Sequence, residues 1–156
     1  MNIAKRKYDH LFNPEIIHET TYPPFKNMIM HTLDNKNINF QIRFTHVSVP
    51  FEGIEPPHSH EFDQIMLWVP CTDDLTAYDA ETELYLDGEK YIIDRTMSLY
   101  LPAGLMHCPI RHTRVGTPFF FVNCPMTPDY SLKGADGKPG SFIDLKLIPQ
   151  DKNKKK

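Results

Sequence analysis

The residues best suited to chemistry lie in a segment with two histidines separated by one residue. His58 and His60 are followed by Gln64 in the stretch PPHSHEFDQ, residues 56–64. On a β-strand, side chains alternate between the two faces, so these three side chains point the same way. Two imidazoles on one pleated face can bind a single ion, and the side-chain oxygen of Gln64 can act as a third ligand. The spacing therefore predicts the first half of a metal site.

A further histidine follows a predicted turn later in the chain. His107 comes directly after the stretch PAGLM, residues 102–106, whose proline and glycine favour a tight turn that delivers the imidazole onto the next strand. We therefore predict one divalent transition metal bound by His58, His60, Gln64 and His107. Sites of this type accept iron, manganese, nickel, cobalt or zinc according to availability, so the element stays open.

The two motifs together resemble those of the cupin superfamily, in which HxH is followed by Glu and a later PxGxxH adds another histidine. The matching residues are Gly53, His58, His60, the Gln64 position, Pro102, Gly104 and His107. The resemblance extends from about Phe40 to Asn123. It implies an all-β fold of the cupin type, a double-stranded β-helix or jelly-roll barrel, here with an irregular N-terminal arm.

The motifs also depart from the family pattern. Gln64 stands where Glu is usual, Thr96 replaces the opening glycine of the second motif, and Arg111 replaces its closing Asn. The resemblance implies that a metal site survives this change, since some metal cupins, including enzymes of uronate breakdown, use Gln as a ligand. A neutral ligand leaves the ion its full double charge, which suits stabilising an enolate better than activating oxygen. This favours isomerase or lyase chemistry over dioxygenase chemistry.

Three charged residues could act on a substrate bound at the ion. Glu81 and Glu83 share one face of a strand expected beside the first motif, so either could enter the barrel as a ligand or general base. Both could equally be solvated carboxylates. Arg111 lies four residues after His107 and points to the same side if the strand is regular, which would suit a carboxylate substrate. Because Pro109 makes that regularity uncertain, an outward-facing Arg111 is the alternative.

The same alternation predicts which neighbours face away from the ion. Glu61 and Asp63 should lie on the outer face, and Cys108, directly after His107, should be a buried and inert thiol. Met66 and Trp68 continue inward from Gln64, where they fill the core or shape a pocket.

Short strands separated by turns account for most of the chain. Asp87-Gly88 predicts a hairpin, and the frequent turns predict a sandwich or barrel. We expect an arm over residues 1–38 that packs on the barrel, with a short helical turn near residues 15–19. The cupin barrel follows over residues 39–150, and a disordered Lys-rich tail over residues 151–156.

Composition narrows the class of protein. The 156 residues fit one domain, and a formal charge of -3 gives no basic field for nucleic acid. There is no apolar run long enough to span a membrane and no secretory signal, and the three cysteines are widely spaced. We therefore expect a cytoplasmic protein with reduced thiols and with neither nucleic-acid nor membrane partners.

These observations predict a metal-dependent cupin enzyme that acts on a small, anionic metabolite by isomerase or lyase chemistry. Two alternatives stay open: a non-haem iron dioxygenase and a small-molecule binding protein without turnover. We also expect a homodimer, with contacts made by the arm before Asn39 or by a strand over residues 141–148.

Overall fold

The computed structural model describes residues 6–12, 17–19, 27–31, 39–53, 55–128, 130–134 and 139–140. Within these ranges the chain is all-β apart from one 3-10 turn at Asp9–Leu11. Its strands form two antiparallel sheets consistent with a jelly-roll sandwich, so the predicted fold class is confirmed. The strands are β1 (Ile17–Glu19), β2 (Asn27–His31), β3 (Ile42–Val47), β4 (Phe51–Glu52), β5 (His58–Ser59), β6 (Gln64–Pro70), β7 (Ala80–Leu86), β8 (Glu89–Ile93), β9 (Met97–Leu101), β10 (His107–Val115), β11 (Phe119–Pro125), β12 (Leu132–Gly134) and β13 (Pro139–Gly140).

Each sheet carries part of the two histidine motifs. One sheet has the strand order β1-β2-β3-β11-β6-β9, and the other has the order β13-β12-β5-β10-β7-β8, with β4 also paired to β10. Gln64 begins β6, where it lies opposite Pro125 on one side and Leu101 on the other. The second sheet pairs β5 with β10, the two strands that contain His58 and His107. His58 and His107 therefore lie in one sheet and Gln64 lies in the other.

The core between the sheets follows the alternation of β6. Gln64, Met66 and Trp68 are buried while their neighbours along β6 are half-buried, which confirms the inward direction predicted for Met66 and Trp68. Trp68 packs in the same cluster as Leu84 and Phe119. Full burial of each such apolar side chain stabilises the fold by about 1.5–3 kcal/mol.

Strand β3 turns its polar side chains toward the interior. Thr45 and Val47 are 7% and 0% exposed, whereas His46 between them is exposed, so Arg43 shares the inward face by alternation. Gln41, just before the strand, is 2% exposed. This inner face is polar because it borders the buried cluster of titratable side chains that forms the candidate site.

The predicted hairpin turn between β7 and β8 is confirmed. Asp87 and Gly88 have φ angles of 47° and 82°, as a two-residue turn between antiparallel strands requires. At the start of the chain, Ile17–Glu19 is strand β1 and pairs with β2, which in turn pairs with β3, so the helical turn predicted near residues 15–19 is wrong over these three residues. The pairing lengthens one sheet.

Several sequence predictions fall on parts of the chain without a description. The strand predicted over residues 141–148 and the tail over residues 151–156 lie outside the described residues. The boundary between arm and barrel at residue 38 also lies there, and it stays a prediction. Within the described ranges, no helix has the length and apolar character needed to cross a membrane.

Candidate metal centre

Three imidazoles meet between the sheets. His107 lies opposite His58 where β10 pairs with β5, and His60 follows β5 directly. The ring centroid of His58 lies 4.5 Å from that of His107 and 4.9 Å from that of His60. The ring centroids of His60 and His107 are 5.0 Å apart. All three side chains are at most 3% exposed. The structure therefore brings together the three histidines that the two motifs single out.

Backbone carbonyls set the orientation of each ring. Nδ1 of His58 donates to the Pro56 carbonyl at 2.8 Å, and Nδ1 of His107 donates to the Leu105 carbonyl at 3.0 Å. Nδ1 of His60 donates to the Ser131 carbonyl at 2.5 Å. Because Nδ1 holds the proton in each ring, Nε2 carries the lone pair, which is the tautomer that binds metals.

Burial keeps these imidazoles neutral. It lowers the pKa of His60 to about 3 and that of His107 to about 4, and it also lowers the pKa of His58. The carbonyl that accepts from each Nδ1 opposes this effect, whereas the neighbouring imidazoles add to it at His60 and His107. At neutral pH the three side chains are therefore uncharged donors with no proton to displace.

Some buried polar atoms here lack the partner that their burial requires. Nε2 of His58 and both amide atoms of Gln64 are buried without a hydrogen bond to any described residue. Leaving such a group unpaired costs about 1–3 kcal/mol, and a bound cation would satisfy the lone pairs of the imidazole and of the amide oxygen. Neutral nitrogen donors with one amide oxygen are ligands that divalent transition metals accept. The residues present therefore fit a metal ion.

His60 differs from the other two histidines because both of its ring nitrogens have partners. The Tyr130 hydroxyl donates to Nε2 of His60 at 3.1 Å, and Phe62 stacks on the ring at 4.7 Å between centroids. Burial raises the pKa of Tyr130 well above its usual range, so this hydroxyl keeps its proton. His60 can bind an ion through Nε2 only after the Tyr130 hydroxyl moves aside.

The expectation that Cys108 faces away from the histidines is wrong. Its Sγ and the donor atoms of His58 and His107 all lie within 4.8 Å of one another, and the Cys108 side chain is 3% exposed. The alternation fails because the pairing of β10 with β7 shifts register between His107 and Ile110, and because Cys108 has a left-handed φ of 78°.

Two charged residues that the sequence interpretation missed lie beside this cluster. Glu55, in the loop before β5, accepts a hydrogen bond from the Cys108 thiol at 3.6 Å, and burial raises the pKa of this carboxyl to about 7. The guanidinium of Arg43 lies 4.1 Å from the ring centroid of Tyr130 and donates to Gln41 Oε1 at 2.8 Å. Its Nε is buried without a partner among the described residues. Alternation along β3 was a signal for Arg43, whereas nothing in the sequence singled out Glu55.

The structure does not bring Glu81 and Glu83 to the imidazoles. Both lie on the outer face of β7, because they alternate with Thr82 and Leu84, which are 0% and 1% exposed and face the core. Glu81 accepts a hydrogen bond from the Thr113 hydroxyl at 2.9 Å. Neither glutamate therefore has the inward position that the sequence analysis considered for a ligand or general base.

Arg111 also lies on that outer face. It pairs in register with Glu83 on β7 and with Glu52 on β4, and its guanidinium forms ion pairs with them at 3.7 and 2.8 Å. Lys90 adds a further ion pair to Glu83 at 2.9 Å. Because of the register shift after His107, Arg111 does not share the face of that histidine, and the outward alternative is the one observed.

Backbone contacts hold the two motifs at a set distance. The N–H of Gly104 donates to the His60 carbonyl at 2.8 Å, and the N–H of Ala103 donates to Asp63 Oδ1 at 2.9 Å. The Tyr100 hydroxyl donates to Asp63 Oδ2 at 3.0 Å. The Asp63 carboxylate therefore contacts β9 and the turn after it instead of the imidazoles, as predicted, and it anchors the turn that leads to His107.

Gly53 makes a similar close contact on the other side of the site. Its N–H donates to the Ile110 carbonyl at 2.8 Å, and a Cβ at this position would lie 2.3 Å from that oxygen. Only glycine therefore lets the loop that contains Glu55 pack this closely against β10.

Comparison with known proteins gives distant likenesses. No protein-family model and no curated protein matches the chain. A cupin superfamily protein from Desulfitobacterium hafniense is similar to it at 14% identity and a TM-score of 0.44, over 64% of this chain and 77% of that chain. A cupin-like protein from Thermotoga maritima is similar at 11% identity and a TM-score of 0.47, over 90% of this chain and 93% of that chain. KdgF from Halomonas sp. is similar at 17% identity and a TM-score of 0.42, over 64% of this chain and 80% of that chain. Structural neighbours thus include cupins, but likenesses this weak do not assign a function.

Proposed function

We propose that this chain is a metal-dependent enzyme of the cupin type that transfers a proton on a small, anionic metabolite. The observation that carries the proposal is the buried, unpartnered Nε2 of His58, which lies beside two more imidazoles. The unpartnered amide of Gln64 is buried as well. We assign His58, His60, His107 and Gln64 as ligands of one divalent ion, which would act as a Lewis acid toward a carbonyl or carboxylate oxygen of the substrate. Iron, manganese, nickel, cobalt and zinc all suit these donors.

We assign Arg43 as the residue that binds the negatively charged group of the substrate. It lies on the inward face of β3, over the ring of Tyr130, whose hydroxyl reaches His60. A guanidinium with a buried N–H that has no partner among the described residues can donate to a carboxylate, and charge-assisted hydrogen bonds of this kind are strong. Arg43 therefore takes the role that the sequence had suggested for Arg111.

We assign Glu55 as the residue that transfers the proton to and from the substrate. Its carboxyl lies next to Cys108, whose Sγ is within 4.8 Å of the donor atoms of His58 and His107. A carboxyl group that burial brings to a pKa of about 7 can both accept and release a proton at neutral pH. Glu55 therefore replaces Glu81 and Glu83 as the general acid or base of the proposal.

The first test is the metal content of tag-free protein purified without added metal. We expect about one equivalent in the wild type and none in a His58→Ala/His60→Ala double variant, because one ion needs several of these donors. The control is His46→Ala, which removes an exposed histidine outside the cluster. A wild type that stays empty after incubation with several divalent ions would overturn the metal-dependent proposal.

The second test measures proton transfer without knowledge of the product. The metal-loaded chain is incubated in heavy water with a panel of small hydroxy- and keto-carboxylates, and proton NMR follows exchange of the C–H next to the carbonyl. We expect Glu55→Gln to slow exchange by about 100-fold or more while its metal content stays unchanged. The matched control Glu83→Gln should exchange at the wild-type rate.

The alternative functions appear as distinct outcomes of these two tests. Oxygen consumption by the ferrous form, without carbon-bound hydrogen exchange, would favour a non-haem iron dioxygenase. Carboxylate binding with neither exchange nor oxygen consumption would favour a binding protein without turnover. Either outcome would contradict the proposed proton transfer.

A homodimer is part of the proposal. Leu11, Phe12 and Ile17 lie in the arm from which we predict the contact, and they are 68%, 72% and 63% exposed. Apolar side chains this exposed are stabilised when a second copy covers them. Light scattering after size exclusion should give twice the chain mass, and a monomeric mass at micromolar concentration would contradict this.

A further inference from the structure

Cys108 is the cysteine that lies beside the imidazoles in the described part of the chain. Its Sγ, His58 and His107 form a group whose donor atoms lie within 4.8 Å of one another, and the three side chains are 3%, 1% and 2% exposed. We propose that Cys108 is a ligand of the same ion, so that the site selects a thiophilic metal such as zinc, cobalt or ferrous iron. This inference rests on the metal-dependent function proposed above.

The distances are close to those that the three donor atoms would need to bind one ion. With metal–nitrogen bonds of about 2.0–2.1 Å and a metal–sulfur bond of about 2.3 Å, tetrahedral donors lie about 3.4–3.6 Å apart. The three donor atoms would therefore have to approach by at most about 1.4 Å on metal binding. The unpartnered, buried Nε2 of His58 is the second donor that marks this position as a ligand site.

The backbone conformation at Cys108 directs the thiol inward. In a regular strand, the residue after His107 would face the opposite side, but the register shift and the left-handed φ of 78° reverse this. A left-handed conformation is unfavourable for a residue with a Cβ, and such conformations occur where function requires a particular side-chain direction. Cys108 therefore reaches the imidazoles because β10 departs from regular pairing.

Cys108 is also more readily available than His60 as a ligand of the ion. Nε2 of His60 already accepts a hydrogen bond from the Tyr130 hydroxyl, whereas the Cys108 thiol donates its hydrogen bond to the Glu55 carboxylate, which can take up the proton. On metal binding, the S–H bond breaks, a sulfur–metal bond forms, and the proton passes to the Glu55 carboxylate and then to the buffer. The thiolate cancels one positive charge of the ion, and soft sulfur disfavours manganese and magnesium.

Cobalt titration of the full chain tests this ligand, because a cobalt–thiolate bond gives a strong charge-transfer band in the near ultraviolet. A chain with Cys71→Ser and Cys124→Ser keeps only Cys108, whereas a Cys108→Ser chain keeps the other two thiols. We expect the band in the first chain and its loss in the second. We also expect Cys108→Ser to bind cobalt at least about tenfold more weakly.

The outcomes separate this inference from the proposed function. Cobalt bound by the wild type without the charge-transfer band overturns Cys108 as a ligand and leaves the histidine site intact. A wild type that binds no cobalt overturns both. Cadmium-113 NMR of the wild-type chain gives a second measurement that needs no variant, since the chemical shift distinguishes sulfur from nitrogen and oxygen donors. A shift typical of nitrogen and oxygen donors alone would also overturn the inference.

Discussion

His107 lies directly opposite His58 where β10 pairs with β5, with 4.5 Å between the ring centroids. Cross-strand neighbours in one sheet stay close together because backbone pairing holds their Cα atoms. Each ring is held in turn by a carbonyl two residues before it, at Pro56 and at Leu105. The two motifs thus form one preorganised pair of imidazoles, which are two of the proposed ligands.

Removal of the metal should lower the thermal stability of the chain. A ligand present at 100 times its Kd stabilises the folded state by about 2.7 kcal/mol, because it binds the folded form alone. A chelator should therefore lower the Tm of the loaded wild type by several degrees in scanning calorimetry. The His58→Ala/His60→Ala variant should show no such response. An unchanged Tm of the metal-loaded wild type after addition of the chelator would contradict the prediction.

Acid should destabilise the metal-free chain through His112. This side chain is 5% exposed, its Nδ1 is 2.8 Å from the Thr82 hydroxyl, and burial lowers its pKa to about 4. The unfolded chain has the ordinary value near 6.5, so it binds the proton first. The stability associated with neutral His112 is therefore present above pH 6.5 and is lost as pH falls toward 4, by about 3 kcal/mol.

Urea unfolding between pH 7 and pH 4 measures this loss. The free energy of unfolding of His112→Gln should vary less with pH than that of the wild type, whatever its value at pH 7, because Gln does not titrate. Metal-free protein is required, since acid would otherwise release the ion and add to the loss of stability. His60 and His107 contribute in the same direction as His112, but they do so equally in both chains. Equal pH slopes for the two chains would rule out His112 as a source of the acid sensitivity.

Substitution of Asp63 should weaken metal binding without removal of a ligand. Its carboxylate accepts from the Ala103 N–H and from the Tyr100 hydroxyl, and so holds the turn before His107. Groups that orient a ligand typically contribute 10–100-fold to metal affinity. Asp63→Ala should lose about that much in competition titrations with a chelating dye. The control is Glu61→Ala, which removes an exposed partner of Lys133 and should leave the affinity unchanged. Equal affinities for the two variants would contradict the role of Asp63.

Arg43 and Arg111 should differ in their effect on carboxylate binding. A charge-assisted hydrogen bond contributes about 1.5–3 kcal/mol, so Arg43→Ala should weaken binding of a small carboxylate to the loaded chain by about 10–100-fold. Arg111→Ala removes two ion pairs on the outer face and should leave the carboxylate affinity unchanged. Isothermal calorimetry with the carboxylates that pass the exchange assay measures both. If Arg111→Ala is the weaker binder, the assignment of Arg43 is wrong.

Several features of the candidate site can be predicted from local sequence patterns. Alternation along a strand places Gln64, Met66 and Trp68 on one face, and all three are buried. The turn before His107 follows from its proline and glycine. These features are local, since each depends on neighbours a few residues away along the chain.

The remaining features depend on contacts between distant segments. Cys108 faces the imidazoles because β10 shifts register against β7, and Glu55 reaches Cys108 from a loop. The orientation of β7, which directs Glu81 and Glu83 outward, depends on which of its two faces meets the core. The sequence by itself determined the histidine motifs, the all-β class and the turns, through periodicity and local chain geometry. Only the tertiary structure decided which charged and sulfur side chains surround the imidazoles, because strand register and the choice of buried face are set by packing between sheets.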